Sequence, residues 1–276
     1  MKHLIVISLI VCLQNTAKAQ YYFNDIITTK QSNNQHELLK KNDIKKVQVF
    51  FKDADNVVDE NFKVIQNINN SGSIIVTQTA TANSNSTLTS TYTNDRISNT
   101  QELLNGIKTN LQYTYNNDGL LQSIASETND TTMHTASSEM HVWQYSDKQL
   151  PILMFKILNN TDTTLVQFIV DEKGLIVEEN WMKNKKNIET YYYYYNQANQ
   201  LTDIVRYQIK AKKMLPDYMF EYNNQGLLQQ MIQVFAGTNN YNTWKYFYND
   251  NSLKTTEYCY DKQKKLMGVI EYNYIK

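Results

Sequence analysis

Cysteine is nearly absent from this chain of 276 residues: two occur, and only Cys259 lies beyond the first 19 positions. Without those positions an internal disulfide is excluded, and stability has to come from packing and strand pairing. Proline and glycine are scarce as well, at 2 and 7 residues, which argues against disorder of the Gly/Pro-rich kind. Neither sign of charge dominates, because Lys+Arg and Asp+Glu both number 27. Nucleic-acid binding needs a concentrated basic surface, so that class is set aside. No apolar run is long enough for a transmembrane helix; Leu4 to Leu13 falls well short.

That short run fits a secretory signal. Lys2 and His3 provide a basic start, and Ala17-Lys18-Ala19 a small-x-small cleavage site. Acylation at Cys12 is disfavoured by the bulky Val11 before it and by the cleavage site after it. Removing residues 1–19 takes away Lys2 and Lys18 and no acid, leaving 25 basic against 27 acidic residues, a net charge of −2. The expectation is an exported chain, periplasmic, on the cell surface or extracellular.

Residues 20–43 read as an N-terminal segment in which Ser32-Asn33-Asn34 caps a short helix, Gln35 to Lys41, with Leu38 and Leu39 on its apolar side. Strand signals take over from residue 44. Lys46 to Lys52 alternates, Asp53 to Asn56 is a turn, and 57–66, 73–81 and 86–93 are rich in Val, Ile and Thr. Gln101 to Lys108 has a weak helical look that the flanking strand signals override.

What the chain has in abundance is tyrosine, 21 residues, and much of it is placed in a recurring phrase. The phrase is aromatic-x-Tyr, a polar turn, then a leucine-like residue. It reads Tyr113-Thr-Tyr115-Asn-Asn-Asp-Gly119-Leu-Leu121 and Phe220-Glu-Tyr222-Asn-Asn-Gln-Gly226-Leu-Leu228. Looser copies stand at Trp143-x-Tyr145, Phe168-x-Val170, Tyr193-x-Tyr195, Tyr246-x-Tyr248 and Tyr258-x-Tyr260. From Tyr115 the anchors step by 30, 25, 25, 27, 26 and 12 residues to Tyr260, and Tyr207 and Tyr272 each follow an anchor by 12. One strand and one turn per 12 residues, two strands per repeat, predicts an antiparallel meander. Residues i and i+2 share a strand face, so each aromatic-x-Tyr pair points one way.

This pattern resembles the YD repeat of rearrangement-hot-spot (Rhs) and teneurin-type proteins, whose consensus is close to Tyr-Asp-x-x-Gly-x-Leu-x-x-Ile. Tyr115, Gly119, Leu121 and Ile124 occupy its Tyr, Gly, Leu and Ile positions; Tyr222 to Met231 matches nearly as well, and Tyr260-Asp261 with Leu266 keeps Tyr, Asp and Leu. The similarity covers roughly residues 88–276, most clearly 110–276. Asn usually replaces Asp, and Gly is missing from several units. The resemblance implies a short, exported bacterial YD-repeat protein and no catalytic residues. The expected fold is all-β: a long, twisted antiparallel meander over 44–276, of about seventeen strands, too many to stay flat. Whether it remains open, curls or closes depends on twist that sequence does not specify.

Candidate chemistry is sparse. His134 and His141 stand seven apart with Glu139 between them, wider than a usual zinc spacing, and His36 is remote. No metal or other cofactor is expected. Asp171-Glu172 and Glu178-Glu179 flank the turn at Lys173-Gly174, and a hairpin brings Asp171 near Glu178. A carboxylate-dependent hydrolase of envelope glycans is the alternative that pair keeps open, although turn-flanking acids are routinely solvated. No nucleophile elbow or phosphate-cradling loop is present. Cys259, on the face opposite Tyr258 and Tyr260, reads as a half-buried small hydrophobe. Aromatics remain. Trp143, Trp181 and Trp244, with the run Tyr191 to Tyr195, are either the repeat's own packing or a platform for a protein or glycan partner. Tyr191, Tyr193 and Tyr195 share one face, Tyr192 and Tyr194 the other; Tyr192, Tyr194 and the three tryptophans are the candidate binding residues. The reading is a non-enzymatic binding or structural module of the envelope or extracellular space. A carrier of an apolar ligand inside a curled sheet is a third possibility.

Overall fold

A computed structural model describes residues 20–209, 211–235 and 238–276 of the chain; the expected signal segment, residues 1–19, lies outside them. A π-helical stretch, Tyr22–Ile27, runs directly into helix α1, Thr28–Lys41. The helix is thus longer than the sequence signals predict and begins some 13 residues earlier. Eighteen strands follow. They are β1 (Lys46–Lys52), β2 (Val58–Ile68), β3 (Ile74–Ala80), β4 (Asn85–Thr93), β5 (Arg96–Leu104) and β6 (Ile107–Tyr115). Next come β7 (Leu121–Asp130), β8 (Thr135–Tyr145), β9 (Pro151–Leu158), β10 (Asp162–Val170), β11 (Ile176–Lys183) and β12 (Lys186–Tyr195). The last are β13 (Leu201–Gln208), β14 (Lys213–Tyr222), β15 (Leu228–Val234), β16 (Tyr241–Tyr248), β17 (Lys254–Tyr260) and β18 (Leu266–Ile275).

Each strand pairs antiparallel with its sequence neighbours, and β1 closes on β18 over seven residue pairs, Lys46↔Ile275 to Lys52↔Val269. The meander is therefore a closed barrel, and no edge strand is left bare. At one rim β2 and every even-numbered strand from β6 to β16 end in five-residue turns headed by Asn, Asp or Ser, and β4 ends in the two-residue turn Asn94-Asp95. In the turn after β6, Asn116 Oδ1 accepts from the backbone N–H of Asp118 and Leu120, and the same pattern recurs at Asp171, Asn196, Asn223 and Asn249. The fourth position of these turns takes positive φ whether it is Gly119, Gly174 and Gly226 or Gln149, Asn199 and Ser252. Glycine relieves the strain there but is not indispensable, which is why several repeats do without it. We call this the Asn rim. At the opposite rim, tighter turns such as Asn105-Gly106 and Asn184-Lys185, with φ positive at both residues, return odd strands to even ones.

The register slips just before the Asn-rim turn in each hairpin from β4–β5 to β16–β17, between Thr114 and Tyr115 for example. A bulge at the same place in successive hairpins bends every unit the same way and closes the ring. The anchor tyrosine sits immediately after the slip. Its hydroxyl donates to a carbonyl of the preceding unit: Tyr115 to Ile97, Tyr145 to Leu121, Tyr195 to Ile176, Tyr222 to Leu201, Tyr248 to Leu228 and Tyr274 to Lys254, at 2.7–2.8 Å. The β7–β8 ladder, for instance, stops at Ser123↔Val142, and Tyr145 supplies the donor beyond it. The anchor is a hydrogen-bonding strut as well as a packing residue.

The last unit corrects the sequence assignment. Cys259 is buried in the core, so Tyr258 and Tyr260 face outward, and the inward pair is Tyr272-x-Tyr274 on β18. Inward residues form two clusters, one around Trp143, Trp181, Tyr191 and Phe220, the other around Val47, Val64, Trp244 and Ile270. Tyr21 belongs to the first and Leu39 to the second, so the helix lies within the lumen and bridges both.

Candidate functional site

The densest polar chemistry among the described residues joins this lumen helix to the barrel wall. The first N–H groups of a helix have no partner inside it. Here those of Tyr21 and Tyr22 donate to the two carboxylate oxygens of Glu179 on β11, each at 2.9 Å. Trp181 Nε1 and the Tyr193 hydroxyl donate to the same carboxylate at 2.6 Å. Glu179 is fully buried, and a negative charge there meets the positive end of the helix dipole. Burial pushes its pKa up, against the four hydrogen bonds that favour its charged form. One turn along, Asp25 Oδ2 accepts from Trp143 Nε1 at 3.1 Å and lies 2.7 Å from His141 Nδ1.

His141 Nε2 lies 2.9 Å from Glu139, whose other oxygen pairs with Lys156 at 2.7 Å. A histidine that donates to carboxylates from both nitrogens is an imidazolium. Burial works against that charge, but Asp25 and Glu139 outweigh it and hold the pKa at about 9. Glu139 is raised by burial and lowered more strongly by His141 and Lys156, to about 2. At the start of the helix, Gln20 donates to Asp217, which also has Arg206 Nε at 2.8 Å. The far end is tied to the Asn rim: His36 stacks on Tyr92 and bonds the Gly72 carbonyl, and Lys40 pairs with Asp95. These acids and bases are committed to one another. The arrangement positions a helix.

The expected site residues divide by face. Trp143, Trp181 and Trp244 are 3%, 5% and 2% exposed, all on the lumen side, which corrects their assignment as an accessible platform. The phase of the even strands turns Trp143 and Trp244 inward beside the anchor tyrosines, and on β11 Trp181 stacks on Tyr21. Tyr192 and Tyr194 do point outward, and Tyr194 is 52% exposed. Asp171 spends Oδ1 on the turn N–H groups of Lys173 and Leu175, whereas Glu178 lies on the outer wall opposite Tyr192. His134 is an exposed turn residue at the opposite rim, apart from His141 in the lumen. Cys259 is fully rather than half buried, and burial raises its thiol pKa to about 12.

Asp25 and Asp217 escaped the sequence reading, and Glu179 entered it only as one of the acids flanking the Lys173-Gly174 turn. Glu179 shares a strand face with Trp181 by the i, i+2 rule, and that was the available signal.

The outer wall is uneven. One row of cross-strand neighbours runs Tyr194, Asp203, Met219, Ile232, Thr243, Tyr260 from β12 to β17. Phe247 packs edge-on to Tyr258 beside it, and Lys245 lies over the Tyr260 ring. On the other side of the barrel the corresponding row reads Asn67, Val76, Thr89, Gln101, Asn110, Glu127, Ser138.

No family model and no curated protein matches the chain. Among solved structures, a porin-like protein from Bacteroides uniformis is similar with a TM-score of 0.40 and 8% identity, over 84% of this chain and 96% of that one. The Photorhabdus luminescens Tc holotoxin pore gives 0.35 and 11%, over 78% of this chain and 12% of that one. A DUF1329 family protein from Desulfovibrio piger gives 0.21 and 7%, over 89% and 91%.

Proposed function

We propose that this is an exported, non-enzymatic, YD-like repeat module of the cell envelope or extracellular space, which holds a protein partner on the outer face of β12–β17. The observation that supports this reading is the contrast between the two outer rows. Tyr194, Met219, Ile232, Phe247 and Tyr260 gathered on one side, against the mainly polar row from Asn67 to Ser138 on the other, have the composition of an interface core. Glu179, Asp25, His141 and Asp217 are absorbed in holding the helix, which favours binding on the outside over catalysis by that cluster.

The test is capture from the native envelope on the immobilised chain, beside the double variant Tyr192→Ala with Tyr194→Ala. Loss of one defined protein with the double variant supports the proposal. Undiminished capture by the variant refutes it. Capture that survives protease digestion of the envelope fraction but not periodate treatment would make the partner a glycan instead.

A further inference from the structure

The rim opposite the Asn rim has a surface of its own. Its turns project large apolar side chains into solvent: Ile188 beside the β11–β12 turn, Tyr207, Ile209 and Met214 around the β13–β14 turn, and Phe235 after β15. Ile209 is 82% exposed, the highest value among the exposed large hydrophobic residues of the described chain. Scattered surface apolar residues are ordinary, but successive fingertips at one end of a barrel form a patch.

Charge marks the same sector. Lys185, Lys186, Lys212 and Lys213 are exposed on two of these turns. Lys262, Lys264 and Lys265 extend the basic arc through the β17–β18 turn, where Asp261 is the acid and has its Oδ1 tied to backbone N–H groups. At the Asn rim the turns carry Asp118, Asp147, Glu172 and Asp250 beside Lys148 and Lys173. Other turns of the same rim carry Asp53, Asp55, Asp130 and Asp162, so the basic, apolar-tipped character is confined to one sector of it.

The lumen helix has a fixed direction relative to the two rims. Its C-terminal end is tied to the Asn rim through His36 and Lys40, so its N-terminal end points toward the basic rim.

We propose that this sector, the turns from β11–β12 to β17–β18, seats the protein on an anionic bilayer surface. The lysines engage lipid phosphates, and Ile209, Phe235 and their neighbours enter the headgroup layer. Interleaved lysines and apolar tips suit an interfacial site, where each lysine near an anionic surface contributes attraction and each apolar side chain adds burial. The opposite rim and the aromatic wall then stay in water. This inference does not rest on the protein-binding role of the β12–β17 face.

The test is co-sedimentation of the full chain with vesicles of phosphatidylcholine alone or mixed with phosphatidylglycerol, at low and high salt. Binding is expected on the mixed vesicles only, and weakened by salt. The variant with Lys185, Lys186, Lys212 and Lys213 each changed to Glu should bind more than about tenfold less tightly. Lys148→Glu with Lys173→Glu, on the Asn rim, should bind as wild type does. Ile209→Ser with Phe235→Ser leaves the charge intact and should also weaken binding, which keeps the test decisive if the charge variant folds poorly. Residues 1–19 are common to all variants, so differences report the rim. Equal binding to both vesicle types, or wild-type binding by both rim variants, overturns the proposal. So does a rim that captures an envelope protein while ignoring vesicles. No partner is present, so failure here leaves the envelope-capture result standing on its own.

Discussion

The His141 clip makes stability depend on pH in a direction that can be worked out. His141 is buried, and its two nitrogens lie 2.7 Å from Asp25 on the lumen helix and 2.9 Å from Glu139 on its own strand. Lys156, paired with Glu139, and the ring of Tyr21, 4.9 Å away, complete its surroundings. Its pKa is raised from 6.5 to about 9 in the fold. A raised folded-state pKa means that the native protein holds the proton more tightly than the unfolded chain. The resulting stability is fully present below about pH 6.5 and disappears as pH rises through about 9. The shift corresponds to about 3 kcal/mol. Glu139, held at about 2, gives the opposite limb: its contribution is present above about pH 4.5 and is lost as pH falls through about 2. These values describe one interaction from its two ends, so their energies are not added.

Glu179 and Asp217 also have raised pKa values, chiefly through burial, and they too make stability fall as pH rises. His141→Gln separates the contributions, because glutamine keeps a polar side chain but has no proton to lose in this range. Urea midpoints at about pH 6 and about pH 9.5 are the measurement. The wild type should lose about 2–3 kcal/mol more between them than His141→Gln does. Equal losses in the two proteins would refute the imidazolium clip.

Two further substitutions probe the helix seat and the repeat. Glu179→Gln turns an amide N–H₂ toward groups that themselves donate, and should cost about 2–4 kcal/mol in urea denaturation; amide exchange at Tyr21 and Tyr22 should quicken, and protection unchanged from wild type would count against the cap. Tyr222→Phe removes the 2.8 Å hydrogen bond to the Leu201 carbonyl and should cost about 1 kcal/mol, whereas Tyr194→Phe on the outer face should cost almost nothing; equal costs would deny the anchor its strut role.

Local chemistry announced the strands but not their closure. Lys46 to Lys52 is a strand over the expected residues because the alternation is clean and turn residues stop it. Helix α1 and its π-helical lead-in were legible only from Gln35 onward. The first turn has no side-chain cap of its own; Glu179, more than 150 positions away, provides one. The tryptophans stand open between packing and a platform in the sequence because periodicity shows which residues share a face, not which face looks inward. That choice was made by the bulges before each anchor and by the helix between the walls. Tyr258-x-Tyr260 shows the same limit: the phrase is intact, yet it stands on a returning strand and points outward. Closure of β1 on β18 depends on twist summed over the whole meander, which no local segment encodes.

Eighteen closed antiparallel strands are within the range that spans membranes, but the side chains from β3 to β8 do not follow the pattern of that use. A lipid-facing barrel carries an apolar band outside and polar groups within. This one has Gln101, Asn110 and Glu127 in mid-wall outside, and Trp143, Trp181, Tyr191 and Tyr193 buried within. A carboxylate facing the hydrocarbon core costs several kcal/mol, and a row of amides beside it adds to that penalty. Turning the chain around does not help, because reversing the faces would expose the aromatic cores and strip the lumen helix of Glu179, His141 and Asp217. The sector from β3 to β8 therefore does not form part of an apolar band. If the protein meets a bilayer, it does so end-on, and only the rim bearing Ile209, Phe235 and the exposed lysines has the chemistry to make that contact.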